Sequence, residues 1–188
     1  MVQSQPSMFT GYAVDGVFDE VFTADGAPRS HYAELMATFA RLNSEEFAAR
    51  SAARDQAFQD QGITFTLAGE ERPFPLDLVP RLVPADEWAV IEAGVKQRVR
   101  VLEAFLADIY SEGEILNAGV VPRTLVMSSA HFHREAAGIV PPNGVRIQVA
   151  GIDLVRDAHG KYRVLEDNLR VPSGVSYVIA NRRAMTCL

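Results

Sequence analysis

Two strand-like runs near the end of the chain, "VRIQVAGIDLVRD" (145–157) and "KYRVLED" (161–167), meet at the short turn "DAHG". A link this short makes a hairpin and sets the strands antiparallel, because parallel neighbours need a crossover of a dozen or more residues. Helical patterns fill most of the chain before them. This order, helices first and then a hairpin, points to α+β rather than a doubly wound parallel sheet.

The upstream patterns set the expected segments. Residues 1–30 carry Gly11, Gly16, Gly26 and Pro28 and read as an irregular arm with a turn at 24–28. Ser30 is a candidate N-cap for a helix over 31–42. Asn43 with Glu46 forms the pattern of a capping box, opening a helix that runs to about Gln61 and stops at Gly62. "ITFTL" (63–67) alternates and predicts a strand. In "AGEERPFPLDLVPRLVP" four prolines exclude a helix and most ladder pairing, which leaves an extended surface segment. Pro84 and Asp86 open the longest helix, with Trp88, Ile91, Val95, Val99, Leu102, Phe105, Leu106 and Ile109 as a core stripe ending near Tyr110.

"RTLVM" (123–127) predicts another strand, and a last helix starts at about Val175. The expected fold class is α+β, with N-terminal helices followed by an antiparallel sheet and a helix behind it. The expected segments are an arm over 1–30, a mostly helical region over 31–120 with the Pro-rich stretch, and a hairpin and helix over 121–188. The last helix reaches "MTCL" with no terminator, and a lone hairpin leaves bare sheet edges. The expectation is therefore that the natural chain continues past Leu188 or that a partner covers the edge.

Composition narrows the function classes. The net charge of −6 repels polyanions, so nucleic acid is not an expected partner. No run reaches the roughly 18–20 apolar residues of a membrane helix, and the start shows no basic segment followed by an apolar one. The single Cys187 excludes an internal disulfide and suits a reducing cytoplasm. Neither G-x-G-x-x-G nor G-x-x-x-x-G-K-[ST] occurs. His131 and His133 in "HFH" have metal-ligand spacing on a strand, yet no third ligand accompanies them, so they read as a surface loop.

Glu166 and Asn168 lie two apart on the second hairpin strand, so their side chains leave one face. Two readings stand: a solvated strand end, or part of an oxygen-donor shell for magnesium. Asp153 interrupts the apolar run of the paired strand and is the candidate third ligand. A two- or four-residue loop puts Asp153 on the face of Glu166; a three-residue loop with Gly160 left-handed sends it to the other face unless a bulge restores it. After the strand, "LRVPSG" places Gly174 where backbone can approach a ligand, and the helix N-terminus beyond attracts anions. Ser173 is either a donor to the same anion or the helix cap. Arg170 sits on the loop beside the proposed metal and can pair with phosphate or carboxylate, and Arg81 can contact an acidic substrate.

With those residues in place, "VAGIDLVRDAHGKYRVLEDNLRVPSGVSYVIANRRAM" resembles the circularly permuted ATP-grasp family, a group related to glutathionylspermidine synthetase. "QGITFT", "ERPFPLDLVPRLVPADEW", "FDEVF" and "PRSHY" resemble it too, so the likeness spans nearly the whole chain. The resemblance implies an ATP-dependent carboxylate–amine or carboxylate–thiol ligase that works through an acyl-phosphate. It implies Mg2+ held by Asp153, Glu166 and Asn168, with Ser173 and Gly174 on the acceptor side. It also implies an incomplete ATP-grasp fold here, because the nucleotide-enclosing lysines of the family follow the metal strands. Other classes remain open: a binding module that keeps the fold and docks a protein, or a hydrolase using Asp153 and Glu166 as acid and base.

Overall fold

The computed structural model describes residues 9, 11–14, 16–172 and 174–186. They divide into two compact units. The first comprises the described residues of Met1–Ala85, Leu154–Val164 and Ser173–Leu188, and the second comprises Asp86–Asp153 and Leu165–Pro172. The class is mixed, helices with two small antiparallel sheets, consistent with α+β.

In the first unit the arm is not wholly irregular. Phe22 and Pro28 form an antiparallel bridge, and Thr23 N–H donates to Ala27 O at 2.8 Å, closing the turn expected at 24–28. A 3-10 turn (Ser30–Tyr32) leads into α1 (Ala33–Phe39). Ser30 does not cap this helix: it lies inside the turn, Arg29 precedes it, and no side chain caps the start. The capping box is present, however. Asn43 Oδ1 accepts from Glu46 N–H at 2.8 Å and Glu46 Oε2 accepts from Asn43 N–H at 2.9 Å, opening α2 (Ser44–Asp60).

Phe22, Tyr32, Met36 and Phe39 make the core of this unit. Tyr32 is fully buried, and its hydroxyl donates to Pro80 O and accepts from Leu82 N–H, tying down the proline-rich segment. That segment also supplies a strand, contrary to expectation. β1 (Thr64–Leu67) pairs antiparallel with β2 (Glu70–Pro73), Thr64 opposite Pro73 and Leu67 opposite Glu70. Ala68 at φ 52° and Gly69 at φ 84° form the connection, and the mirror-image turn they make matches strand twist. Pro73 is tolerated because it closes the end of an edge strand. The C-terminal helix, α6 in chain order (Val175–Met185), docks here: Tyr177 stacks on Phe74 at 4.3 Å and donates to Thr64 O.

The second unit is built on α3 (Ala85–Ile109), as its periodicity predicts. Its stripe is less buried than expected: Ile91 and Ile109 are enclosed, but Trp88 is 55% exposed. Asp108 caps the next helix, α4 (Glu114–Asn117), by accepting from Glu114 and Ile115 N–H. "RTLVM" is helix, not strand: α5 (Arg123–Met127) follows Pro122, and its Ser128 N–H returns to Thr124 O. His131 and His133 lie in an exposed loop, as the sequence reads. Phe132 stacks on Tyr110 at 5.0 Å and the Tyr110 hydroxyl accepts from His133 N–H, which fixes that stretch as a loop.

The long strand expected over 145–157 is shorter. Arg146 and Ile147 N–H donate to Glu103 Oε1 and Oε2 at 2.7 and 2.8 Å, so a carboxylate from α3 takes the place of a partner strand. The ladder begins at β3 (Gly151–Arg156), which pairs with β4 (Tyr162–Asn168). Among the described residues no helix is long and apolar enough to cross a membrane.

Candidate functional site

The β3–β4 turn decides which way the candidate ligands face. Asp157 N–H donates to Lys161 O and Gly160 N–H donates to Asp157 O, both at 2.9 Å, with Gly160 left-handed at φ +81°. This is the three-residue loop. Counted from it alone, Asp153 falls opposite Leu165 and on the far side from Glu166. At the open end of the hairpin the count is different. A Cβ placed on Gly151 would lie 3.5 Å from Asn168 Cβ, so the two residues lie side by side across the hairpin. Counted back from that pair, Ile152 faces Asp167 and Asp153 faces Glu166.

The two counts differ by one residue, and six residues of β3 run against seven of β4. One extra residue in β4 reconciles them, which is the count of a single bulge. Asp153, Leu165 and Glu166 are exposed, and Ile152, Asp167 and Asn168 are half-buried. Glu166 and Asn168 leave one side of β4, where their side chains hydrogen-bond; Asp153 joins that side where the extra residue lies between Glu166 and the turn.

Within this face Asn168 Nδ2 donates to Glu166 Oε1 at 2.8 Å, which leaves the amide oxygen of Asn168 as an acceptor. Asp167 points the other way and is gripped by Arg98 of α3. Arg98 Nε donates to Asp167 Oδ1 at 2.7 Å and Nη2 donates to Oδ2 at 2.6 Å, a bidentate fork. The hydrogen bonds from Arg98 hold the Asp167 carboxyl below its usual range. Among the described residues no three of His, Cys, Asp and Glu gather as a metal-binding group. Glu166 and Asn168, with Asp153 of the paired strand, offer two carboxylates and one amide. That donor set is all oxygen and solvent-accessible, so its chemistry fits a hard divalent cation that keeps water ligands.

The other candidates stand as follows. Arg170 is exposed and forms no ion pair among the described residues. Gly174 is the N-cap of α6, its carbonyl accepting from Val178 N–H at 3.0 Å, and no side chain caps that helix. Ser173 and Cys187 lie outside the described residues. Arg81 is largely exposed, with Nε 3.8 Å from Glu20 Oε1. Sequence reading missed Arg98, Glu103 and Gly151. Nothing marks the first two in the sequence, since charged residues on a long helix ordinarily face solvent.

Residues 80–188, more than half of the chain, match the family model described as a circularly permuted ATPgrasp. The chain belongs to the circularly permuted ATP-grasp family. The matched residues of this ATP-grasp chain include Asp153, Glu166, Asn168 and Arg98. An uncharacterized protein of Mycobacterium tuberculosis (strain ATCC 25618 / H37Rv) is 58% identical over 182 residues, which cover 95% of this chain and 33% of that protein. An uncharacterized protein of Mycobacterium leprae (strain TN) is 56% identical over 182 residues, covering 95% of this chain and 32% of that protein. A Frankia casuarinae protein named "Putative glutamate--cysteine ligase 2-2" is 44% identical over 183 residues, covering 96% of this chain and 21% of that protein. The ATP-grasp chain thus spans about a third of the mycobacterial relatives' length and about a fifth of the Frankia protein's.

Proposed function

We propose that this chain carries the cation-binding face of a magnesium-dependent ligase that joins a carboxylate to an amine or thiol at the expense of ATP. Three things support the reading: the family, the ligase name borne by the Frankia relative, and the oxygen donors of Asp153, Glu166 and Asn168 on the two strands of the β3–β4 hairpin. The last of these carries it, because a metal–nucleotide site needs hard oxygen donors and these three side chains are of that type.

The reaction has two steps. A carboxylate oxygen attacks the γ-phosphorus of ATP, the bond to the β-phosphate oxygen breaks, and ADP and an acyl-phosphate form. The amine or thiol then attacks the acyl carbon, and inorganic phosphate leaves with the electrons of the C–O bond. Bound Mg2+ would neutralise charge on the phosphate oxygens during this transfer. The side chains of Asp153, Glu166 and Asn168 would hold it, while Asn168 keeps the Glu166 carboxylate in place through its amide donor. Arg170 would pair with the reacting phosphate or carboxylate, Ser173 and Gly174 would line the acceptor side, and Arg81 would contact an acidic substrate. The proposed partners are ATP and small-molecule or peptide substrates, with no part for nucleic acid or membrane and with cytoplasmic residence.

The test is ATP consumption by the longest natural form of the protein. Phosphate release that requires both a carboxylate and an amine, and that Glu166→Ala abolishes with the far-UV spectrum unchanged, supports the reading. Turnover that persists without ATP, or survives the loss of Glu166, overturns it.

A further inference from the structure

We propose that Arg98 is the positioning residue of the Asp153, Glu166 and Asn168 face; this rests on the reading of that face as a cation site. Side chains alternate along a strand, so gripping Asp167 from one side sets the direction in which Glu166 and Asn168 leave the other. Arg98 makes that grip with both carboxylate oxygens, at 2.7 and 2.6 Å, from the middle of a 25-residue helix. A two-point fork fixes the plane of the carboxylate, which a single contact would leave free to swivel.

Position along β4 gives the grip its importance. The turn count and the Gly151–Asn168 contact differ by one residue, so β4 has two registers one residue apart within reach. A one-residue slip would turn Glu166 and Asn168 to the opposite side. Arg98 locks the one residue between them, with only 17% of the Asp167 side chain exposed. On the open side, Gly151 packs beneath Pro172 and closes the other direction of movement.

A lysine at 98 keeps the charge and a single contact but loses the fork, so it separates positioning from general stability. Mn2+ alone is the probe, titrated into the full chain and read by the electron spin resonance of the free ion. Amide exchange over 164–168 is read in parallel. Loss of an outer partner typically weakens a metal by about 10- to 100-fold. Arg98→Ala should weaken Mn2+ by that factor and speed exchange at 166–168. Arg98→Lys should keep the melting temperature within about 2 °C of the parent yet still lose several-fold in affinity, and Asp167→Asn should behave like Arg98→Lys. Parent-level Mn2+ affinity in both Arg98 variants, alongside loss in Glu166→Ala, overturns the positioning role and leaves the cation reading intact. If the parent chain binds no Mn2+, the cation reading and the proposed role fall together. Exchange at 166–168 unchanged in Arg98→Ala overturns the positioning role whatever the metal data show.

Discussion

Gly151 lies under Pro172, so close that a Cβ on Gly151 would sit 2.9 Å from Pro172 Cβ. Its φ is not left-handed, so it is space rather than backbone conformation that excludes a side chain here. The segment 168–172 folds back over the first residue of β3 because nothing projects from it. Gly151→Ala must push the proline ring away, and a rigid ring gives less readily than the end of a flexible chain. Overpacking of this kind costs about 1–3 kcal/mol. Urea denaturation should show that loss, and Mn2+ affinity should fall with it as the Asn168 end of the face shifts.

Gly160 is constrained twice, by its φ of +81° and by the ring of Phe18, whose Cδ2 would lie 2.5 Å from an added Cβ. The two causes can be separated in a double-mutant cycle. Gly160→Ala alone should lose about 1–2 kcal/mol for the left-handed backbone and about 1–3 kcal/mol more for the clash. In a Phe18→Ala background only the first should remain. A cycle with no coupling between the two positions would show that Phe18 does not rest on the turn.

The capping box offers a cleaner cost, since Asn43 and Glu46 satisfy each other's backbone N–H groups on an exposed helix start. Asn43→Ala should destabilise by about 1 kcal/mol, and Asn43→Gly by only a few tenths. Chemical denaturation of both variants checks the order as well as the size.

That box was legible because it is a local code of two reciprocal side chains three residues apart. The hairpin turn at "DAHG" and the helix from Pro84 were legible for the same reason: each depends on spacing within one segment. "RTLVM" was misread because five apolar residues fit a strand or a helical turn equally, and Pro122 decides it only once its N-cap conformation is known. β2 was missed because its prolines argue against a ladder, whereas only Pro73, at its end, takes part. The site was half legible. Glu166 and Asn168 share a face by strand periodicity alone, but the side taken by Asp153 depends on a bulge, and the grip of Arg98 on Asp167 joins positions 69 apart in sequence. Neither leaves a local signature.

Asp157 organises the β3–β4 turn, and its titration gives a pH test. Its carboxylate accepts N–H groups from Lys161 at 2.9 Å and His159 at 3.0 Å, and Arg163 Nε donates to its other oxygen at 3.0 Å. The Lys161 N–H above all, then Arg163, favour the charged form and lower the pKa from 3.8 to about 2. A folded-state pKa below the unfolded one means the unfolded chain binds the proton more readily, so stability contributed by Asp157 is present above about pH 4 and fades as pH falls toward 2. Asp157→Asn cannot ionise and loses the charged acceptor at every pH. The parent chain should therefore be more stable than the variant by a constant margin from pH 5 to 7, and the margin should shrink between about pH 4 and pH 2. Denaturant midpoints of the two proteins across that range provide the measurement; a margin that stays flat to pH 2 would show that the turn does not depend on the ionised carboxylate.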